Sequence, residues 1–350
     1  MDEQVYYNAV NLACESDYIR IKNLYQTAGT WEKVWENIAA QYPHINPEKA
    51  FSKIDRFQIK LIMFDNPTYP PLLKEINFPP FGLYVIGILP DKPTVAIVGT
   101  RRATEQGKKI AAQLASELAQ QEIVVVSGLA LGIDESAHGG VVKVSGKTIA
   151  VLARGLDEMY PAQNKNLADK IIAAGGAIVS EYPIGSPPLP FRFLERNRIV
   201  SGLSMATIVV EAPARSGALA TANFAVQQNR EVFVVPGSIT HKNYEGSHRL
   251  LKNGAALLTE VNDIFNALPE LAKVALPLGE QIANSQQQMD NRFLDNEQKT
   301  IFTAIDNFGS AITVDKITEL VKLPPQAVNS ALSLLVINNL VKEEGGRYYI

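Results

Sequence analysis

The stretch Val95-Ala96-Ile97-Val98-Gly99-Thr100-Arg101-Arg102-Ala103-Thr104 decides the fold. An unbroken apolar run enters a glycine and two arginines, with a helix expected to start near Thr104. Continuous rather than alternating apolar runs suit strands buried on both faces, as in a parallel sheet. Five more runs of this kind follow: Ile123-Val124-Val125-Val126, Thr148-Ile149-Ala150-Val151-Leu152, Ala177-Ile178-Val179, Thr207-Ile208-Val209-Val210 and Val232-Phe233-Val234-Val235. Helix-like stretches lie between them, over Gly107–Gln121, Asn164–Ala174 and Ala218–Asn229. Strands alternating with helices predict a doubly wound α/β domain over residues 94–265, with its ligand site at the carboxyl ends of the strands.

Residues 1–64, upstream of this domain, read as a small helical N-terminal domain. There Trp31, Val34, Trp35 and Ile38 recur at the spacing of one buried helical face. Residues 65–93 are rich in proline (Pro67, Pro70-Pro71, Pro79-Pro80, Pro90), which fixes φ and removes donors, so they read as extended linker and turn. Downstream, residues 266–294 read as a polar linker carrying Gln286-Gln287-Gln288. Residues 295–350 read as three helices followed by two strands joined at Gly345-Gly346, a winged-helix-like plan. The third of these helices, running through Ala331, Leu334, Leu335 and Leu340, has no arginine or lysine until Lys342, which argues against major-groove reading.

The chain has 350 residues, of which 46% are hydrophobic and 20% charged, a composition that excludes a wholly disordered protein. Its formal net charge is −3, yet residues 94–260 carry 17 basic against 14 acidic groups, so an anionic ligand is sought there. Cys14 is the only cysteine, which excludes an intramolecular disulfide and a thiolate metal cage and points to a reducing compartment. Met1-Asp2-Glu3-Gln4 lacks a signal-peptide pattern, and no apolar run approaches the ~18–20 residues a membrane span needs. A cytoplasmic protein with no membrane span is expected.

Several motifs bear on the ligand. Gly99-Thr100-Arg101-Arg102 forms a strand–glycine–helix turn, where backbone amides and a helix start face an anion and Arg101 grips it with two donors. The alternative is a tight turn with solvated arginines. Ser127-Gly128 closes the second strand, followed by Asp134 and His138, which read as a helix N-cap and a locally bonded histidine rather than a metal pair. No third ligand stands at metal spacing. Arg192, Phe193, Arg196, Asn197 and Arg198 have the composition of a platform for nucleic-acid backbone and base; the alternative is a core segment whose arginines pair with Glu181 or Glu211. Arg215-Ser216-Gly217 is a second strand–loop–helix anion cradle on the same crevice.

In order, these motifs resemble the DNA-processing protein DprA (Smf) family. The landmarks are Val98-Gly99-Thr100-Arg101, Ser127-Gly128-Leu129-Ala130 with Gly132-Ile133-Asp134 and Ala137-His138, and Gly155-Leu156-Asp157 with Tyr160-Pro161. Ser180-Glu181, Arg196-Asn197-Arg198, Ser216-Gly217 with Thr221-Ala222, Pro236-Gly237 and Gly254-Ala255 continue the series. The resemblance implies an extended Rossmann-like domain that binds single-stranded DNA, forms a homodimer and loads RecA onto incoming strands in natural transformation, with no cofactor and no catalysis. It also implies that Arg101 meets DNA phosphate and that Arg192, Phe193, Arg196 and Arg198 line the DNA. The chain departs from many relatives at Leu194, His248 and Arg154.

Two other functions compete for the same crevice: a nucleotide-binding sensor, and an enzyme like the nucleotide phosphoribohydrolases. The latter need a carboxylate shortly after the glycine turn, where this chain carries Thr221 and Asn223.

Overall fold

A computed structural model describes residues 2–274, 296–309, 311–337 and 341–349. The greater part of the expected linker (275–294) and Leu340 of the expected last helix lie outside the described residues. The chain divides into two compact units, Met1–Ala275 and Leu276–Ile350.

In the first unit, helices α1 (Glu3–Ala13), α2 (Tyr18–Ala28), α3 (Trp31–Ile38) and α4 (Pro47–Arg56) precede strand β1 (Lys60–Met63). A one-turn helix, α5 (Pro71–Lys74), and strand β2 (Gly82–Gly87) follow. Strands and helices then alternate: β3 (Thr94–Val98), α6 (Glu105–Gln120), β4 (Val124–Ser127), α7 (Ile133–Lys143), β5 (Thr148–Val151), α8 (Lys165–Ala173) and β6 (Ala177–Ser180). The series continues through α9 (Pro190–Gly202), β7 (Ala206–Val209), α10 (Gly217–Gln227), β8 (Glu231–Val234), α11 (Glu245–Lys252) and β9 (Ala256–Leu257).

All of these strands join one nine-stranded sheet in the order β1-β2-β6-β5-β4-β3-β7-β8-β9. From β6 to β9 every pairing is parallel; β1 and β2 add an antiparallel edge. Each of the six apolar runs supplies a strand. The order reverses between β3 and β7, and such a switch point opens a crevice beyond the strand ends.

Successive residues of a strand face opposite sides. Ala96 and Val98 pack on one face with Ile199 and Val200 of α9 and Ala218, Leu219 and Ala222 of α10. Val95 and Ile97 pack on the other with Ala115 and Leu118 of α6 and Ile133 and Ala137 of α7. Each such Val, Leu or Ile contributes about 1.5–3 kcal/mol when fully buried.

Two expectations for the N-terminal third need correction. The segment to residue 64 is not wholly helical, because Lys60–Met63 pairs with β2. The proline-rich stretch 65–93 is not merely a linker, because Gly82–Gly87 bridges β1 and β6. Its prolines flank the strand and leave its ladder donors intact. Trp31, Val34, Trp35 and Ile38 are buried in one cluster with Tyr84, Ala150 and Ile178, so the N-terminal helices cover the sheet directly.

The second unit contains α12 (Asn296–Phe308), β10 (Ile312–Thr313), α13 (Val314–Val321), α14 (Pro325–Ile337), β11 (Lys342–Glu344) and β12 (Arg347–Tyr349). Its sheet runs β10-β12-β11, all antiparallel, and Gly345 and Gly346 both take positive φ between the last two strands. Ile301, Ile317, Val328 and Leu335 form its core. Among the described residues no helix is long and apolar enough to cross a membrane.

Candidate functional site

A crevice of about 650 Å³ opens where β3 and β7 diverge, lined by the loop 99–102, by α9 and by the start of α10. Of the residues singled out in the sequence, Gly99, Thr100, Arg101, Arg102, Gly128, Phe193, Arg196, Asn197, Arg215, Ser216 and Gly217 line it. Ser127, Arg192 and Arg198 do not.

The loop after β3 is built differently from an amide cradle. Thr104 caps α6, its hydroxyl accepting from the Gly107 N–H at 2.9 Å. The Thr104 N–H and hydroxyl in turn donate to the Glu211 carboxylate, the N–H at 3.0 Å. The Thr100 N–H donates to the Glu211 carbonyl (2.8 Å) and the Arg102 N–H to the Thr100 hydroxyl (3.2 Å). A protein carboxylate thus occupies the start of α6, where an external anion was expected. Burial alone would raise the Glu211 carboxyl, but donors from Thr104, Asn243 and Tyr244 hold it below its ordinary value. Gly99 is small for a different reason than anion approach: a Cβ there would lie 2.5 Å from Ile133 at the start of α7. What the loop offers a ligand is its side chains, since Arg101 and Arg102 are exposed.

On α9 the platform separates into two parts. Arg192 is buried; it donates to the Pro187 carbonyl (2.9 Å) and the Glu15 carbonyl (3.2 Å), with its guanidinium 4.8 Å from the Tyr182 ring centre. Arg198 is buried in a two-pronged bond to Glu181, at 2.8 and 2.5 Å. Burial opposes its charge, but Glu181 outweighs burial and its pKa is raised. Arg196 lines the crevice floor, donating to the Gly128 carbonyl (2.9 Å), the Val151 carbonyl and the Asn197 side chain (3.2 Å). Burial lowers its pKa to about 10, with Asp134 opposing and Arg101 reinforcing the shift. A Cβ on Gly128 would fall 2.5 Å from this guanidinium, so the glycine makes room for Arg196. These three arginines thus spend most of their donors on the protein, as the core-segment alternative had it, although the Arg192 Nε has no hydrogen-bond partner and Arg196 still lines the crevice.

Phe193 remains available. It is half-buried, with the Arg101 guanidinium 4.9 Å from its ring centre and the Tyr160 ring 5.6 Å away. Neighbouring Leu194 is exposed. Asn197 is buried and donates to the Gly217 carbonyl (3.1 Å), tying α9 to α10. Ser216 caps α10, accepting from the Ala218 N–H at 3.2 Å, which leaves the exposed Arg215 beside it.

Ser127 is fully buried with its hydroxyl on the Ile97 carbonyl (2.6 Å), so it faces no ligand. Asp134 is not the N-cap: Gly132 holds that position, and the Asp134 carboxylate accepts from the Gly128 N–H (3.1 Å). Burial raises its pKa. His138 is fully buried, its Nδ1 2.8 Å from the Thr148 hydroxyl, and burial together with Arg196 lowers its pKa to about 3. Arg154 pairs with Glu158 at 2.7 Å. Among the described residues no group of three His, Cys, Asp or Glu could hold a metal ion.

Three residues outside the expected site set also stand in the crevice or beside its loops. Tyr160 lines the crevice; Arg249 donates to the Ala214 carbonyl (3.3 Å) beside Arg215; Lys242 neighbours Asn243, which donates to the Arg102 carbonyl (2.9 Å). Tyr160 was visible only as part of Tyr160-Pro161, and the two cations lay outside any arginine cluster.

Together these features define an α/β protein of Rossmann strand order, with exposed arginines and an aromatic ring at its strand-end crevice. The chain belongs to the DNA recombination-mediator protein A family, whose pattern matches residues 60–269. It is 41% identical over 249 residues to protein Smf of Synechocystis, covering 69% of this chain and 62% of that protein. It is 42% identical over 219 residues to the DNA processing protein DprA of Streptococcus pneumoniae, covering 62% and 75%. The X-ray structure of DprA from Streptococcus pneumoniae superposes with a TM-score of 0.61 at 35% identity, covering 76% of this chain and 93% of that one. DNA processing protein A from Helicobacter pylori, whose structure concerns its single-stranded DNA binding mode, gives 0.55 at 34% identity over 61% and 97%.

Proposed function

We propose that the crevice binds single-stranded DNA, with Arg101, Arg102 and Arg215 neutralising phosphates and Phe193, flanked by Tyr160, stacking on a base. The observation that carries this reading is Arg101: exposed, in no ion pair among the described residues, and held over the Phe193 ring. A cation beside a ring at a strand-end crevice suits a backbone with bases on it and needs no particular sequence. The single-stranded DNA binding of the Helicobacter pylori relative supports the same ligand. On this reading the protein is a recombination mediator without catalytic chemistry. It protects incoming strands, loads RecA during natural transformation and works as a homodimer in the cytoplasm. In the winged-helix-like second unit α14 carries no basic residue, which argues against groove reading and leaves protein contact or a structural role.

The test is a salt titration of binding to single strands and matched duplexes. A single-strand preference is expected, with an affinity that falls by about 0.7 in log–log slope for every phosphate contacted. Absence of single-strand binding at low salt sinks the proposal. Release of free base from nucleotides would favour the phosphoribohydrolase alternative.

A further inference from the structure

The second half of the segment from Pro236 to Arg249 is fastened at two places to the loops that carry the crevice arginines. At one the Asn243 side-chain amide donates to the Arg102 carbonyl (2.9 Å) and to the Glu211 carboxylate (2.8 Å). The Tyr244 hydroxyl donates to the other Glu211 oxygen at 3.2 Å. At the other the Gly246 and Ser247 N–H groups both donate to the Ala212 carbonyl (2.8 and 3.2 Å), and the Ser247 hydroxyl accepts from the Ala212 N–H (3.1 Å). Arg249 reaches the Ala214 carbonyl, next to Arg215. Glu211 is therefore a hub, one buried carboxylate holding the start of α6 and this segment together.

The outer side of the segment is cationic. Lys242 and Arg249 are exposed, and Glu245 is the only carboxylate between Pro236 and Lys252. Among the described residues neither cation forms an ion pair, and neither do Arg102 and Arg215 beside them. Like charges placed on one rigid wall repel each other, and a polyanion lying along them relieves that repulsion. Single-strand sites commonly extend over about 4–16 nucleotides, more than one ring and three arginines engage.

We infer that Pro236–Arg249 is a second wall of the strand path, in which Lys242 and Arg249 take DNA phosphates beyond those at Arg102 and Arg215. This rests on the single-strand reading of the crevice, and the experiment separates the two. The full chain, its Lys242→Ala/Arg249→Ala double variant and its Arg101→Ala variant are titrated with oligothymidylates of increasing length at several salt concentrations. The double variant is expected to lose about 1.4 in salt slope, two contacts' worth, and to stop gaining affinity at a shorter oligonucleotide than the parent chain. Charge reversal at Lys242 (Lys242→Glu) is expected to deepen the loss. A double variant with the parent's slope and length dependence, while Arg101→Ala weakens binding, overturns the second wall and leaves the crevice. A parent chain that binds no single strand overturns both.

Discussion

Arg192, Arg196 and Arg198 lie on one helix and are buried, with donors committed to carbonyls, a side-chain amide and a carboxylate; Arg101, Arg102 and Arg215 stand on two loops and are exposed, in no ion pair among the described residues. Arg196 shares the crevice with the exposed set, while Arg192 and Arg198 stand on the same helix outside its lining. The buried set fixes its geometry: Arg196 joins α9 to the ends of β4 and β5, and Arg198 joins it to the end of β6 through Glu181. The exposed set is left to meet a ligand. A cluster of arginines in a sequence is thus no measure of available charge; what matters is how many acceptors the fold brings within reach.

The largest effect that would break this division is at Arg196. Arg196→Met strands the Gly128 and Val151 carbonyls and leaves Asp134 buried without its neighbouring cation. Breaking a buried charged network of this kind costs about 3–5 kcal/mol, read as a shift in urea unfolding. A variant of nearly parental stability that no longer binds single strands would instead make Arg196 a ligand-contacting group.

His138 sharpens the same point, because its depressed pKa follows from burial and then from the Arg196 charge. The folded state keeps the imidazole neutral down to about pH 3, whereas the unfolded chain takes up a proton near 6.5. Its contribution to stability is therefore complete above 6.5 and declines as pH falls toward 3, by at most about 1.4 kcal/mol per pH unit. His138→Gln should flatten stability against pH across that window. Parallel pH profiles for variant and parent would show that the histidine is not held neutral.

Much of the fold could be read because parallel strands buried on both faces leave continuous apolar runs, and each of the six became a strand. Strands β1 and β2 escaped because Lys60–Met63 adjoins helical sequence and Gly82–Gly87 sits among prolines. Strand β2 finds its place beside β6, nearly a hundred residues further along, and β1 pairs only with β2. At the site, Arg101 and Phe193 were legible as types in a place. The pairing of Arg198 with Glu181 stood there only as the core-segment alternative, and the commitment of Arg196 did not show at all, because Gly128 and Val151 come near only once the sheet has formed. The carboxylate of Glu211 over the start of α6 is the same kind of long-range fact.

On the exposed side effects should fall on binding and leave folding alone. Arg101→Ala is expected to unfold within about 0.5 kcal/mol of the parent, as exposed substitutions do. Its salt slope should flatten by about 0.7, one phosphate contact on a single strand. A destabilisation comparable to that at Arg196 would erase the distinction between the two sets.

The smallest expected effect tests whether the exposed charge is also a positioned one. Phe193→Ala should cost about 1–3 kcal/mol of binding if the ring stacks on a base. Yet the ring also carries the Arg101 guanidinium, 4.9 Å from its centre. Removing the ring releases that arginine, so the two substitutions should not add: a double-mutant cycle should return a coupling of about 0.5–1 kcal/mol, the size of an exposed cation–π contact. Strict additivity would mean that Arg101 finds its phosphate without help from Phe193, and that the loop, already fixed by Glu211 and Asn243, orients it alone.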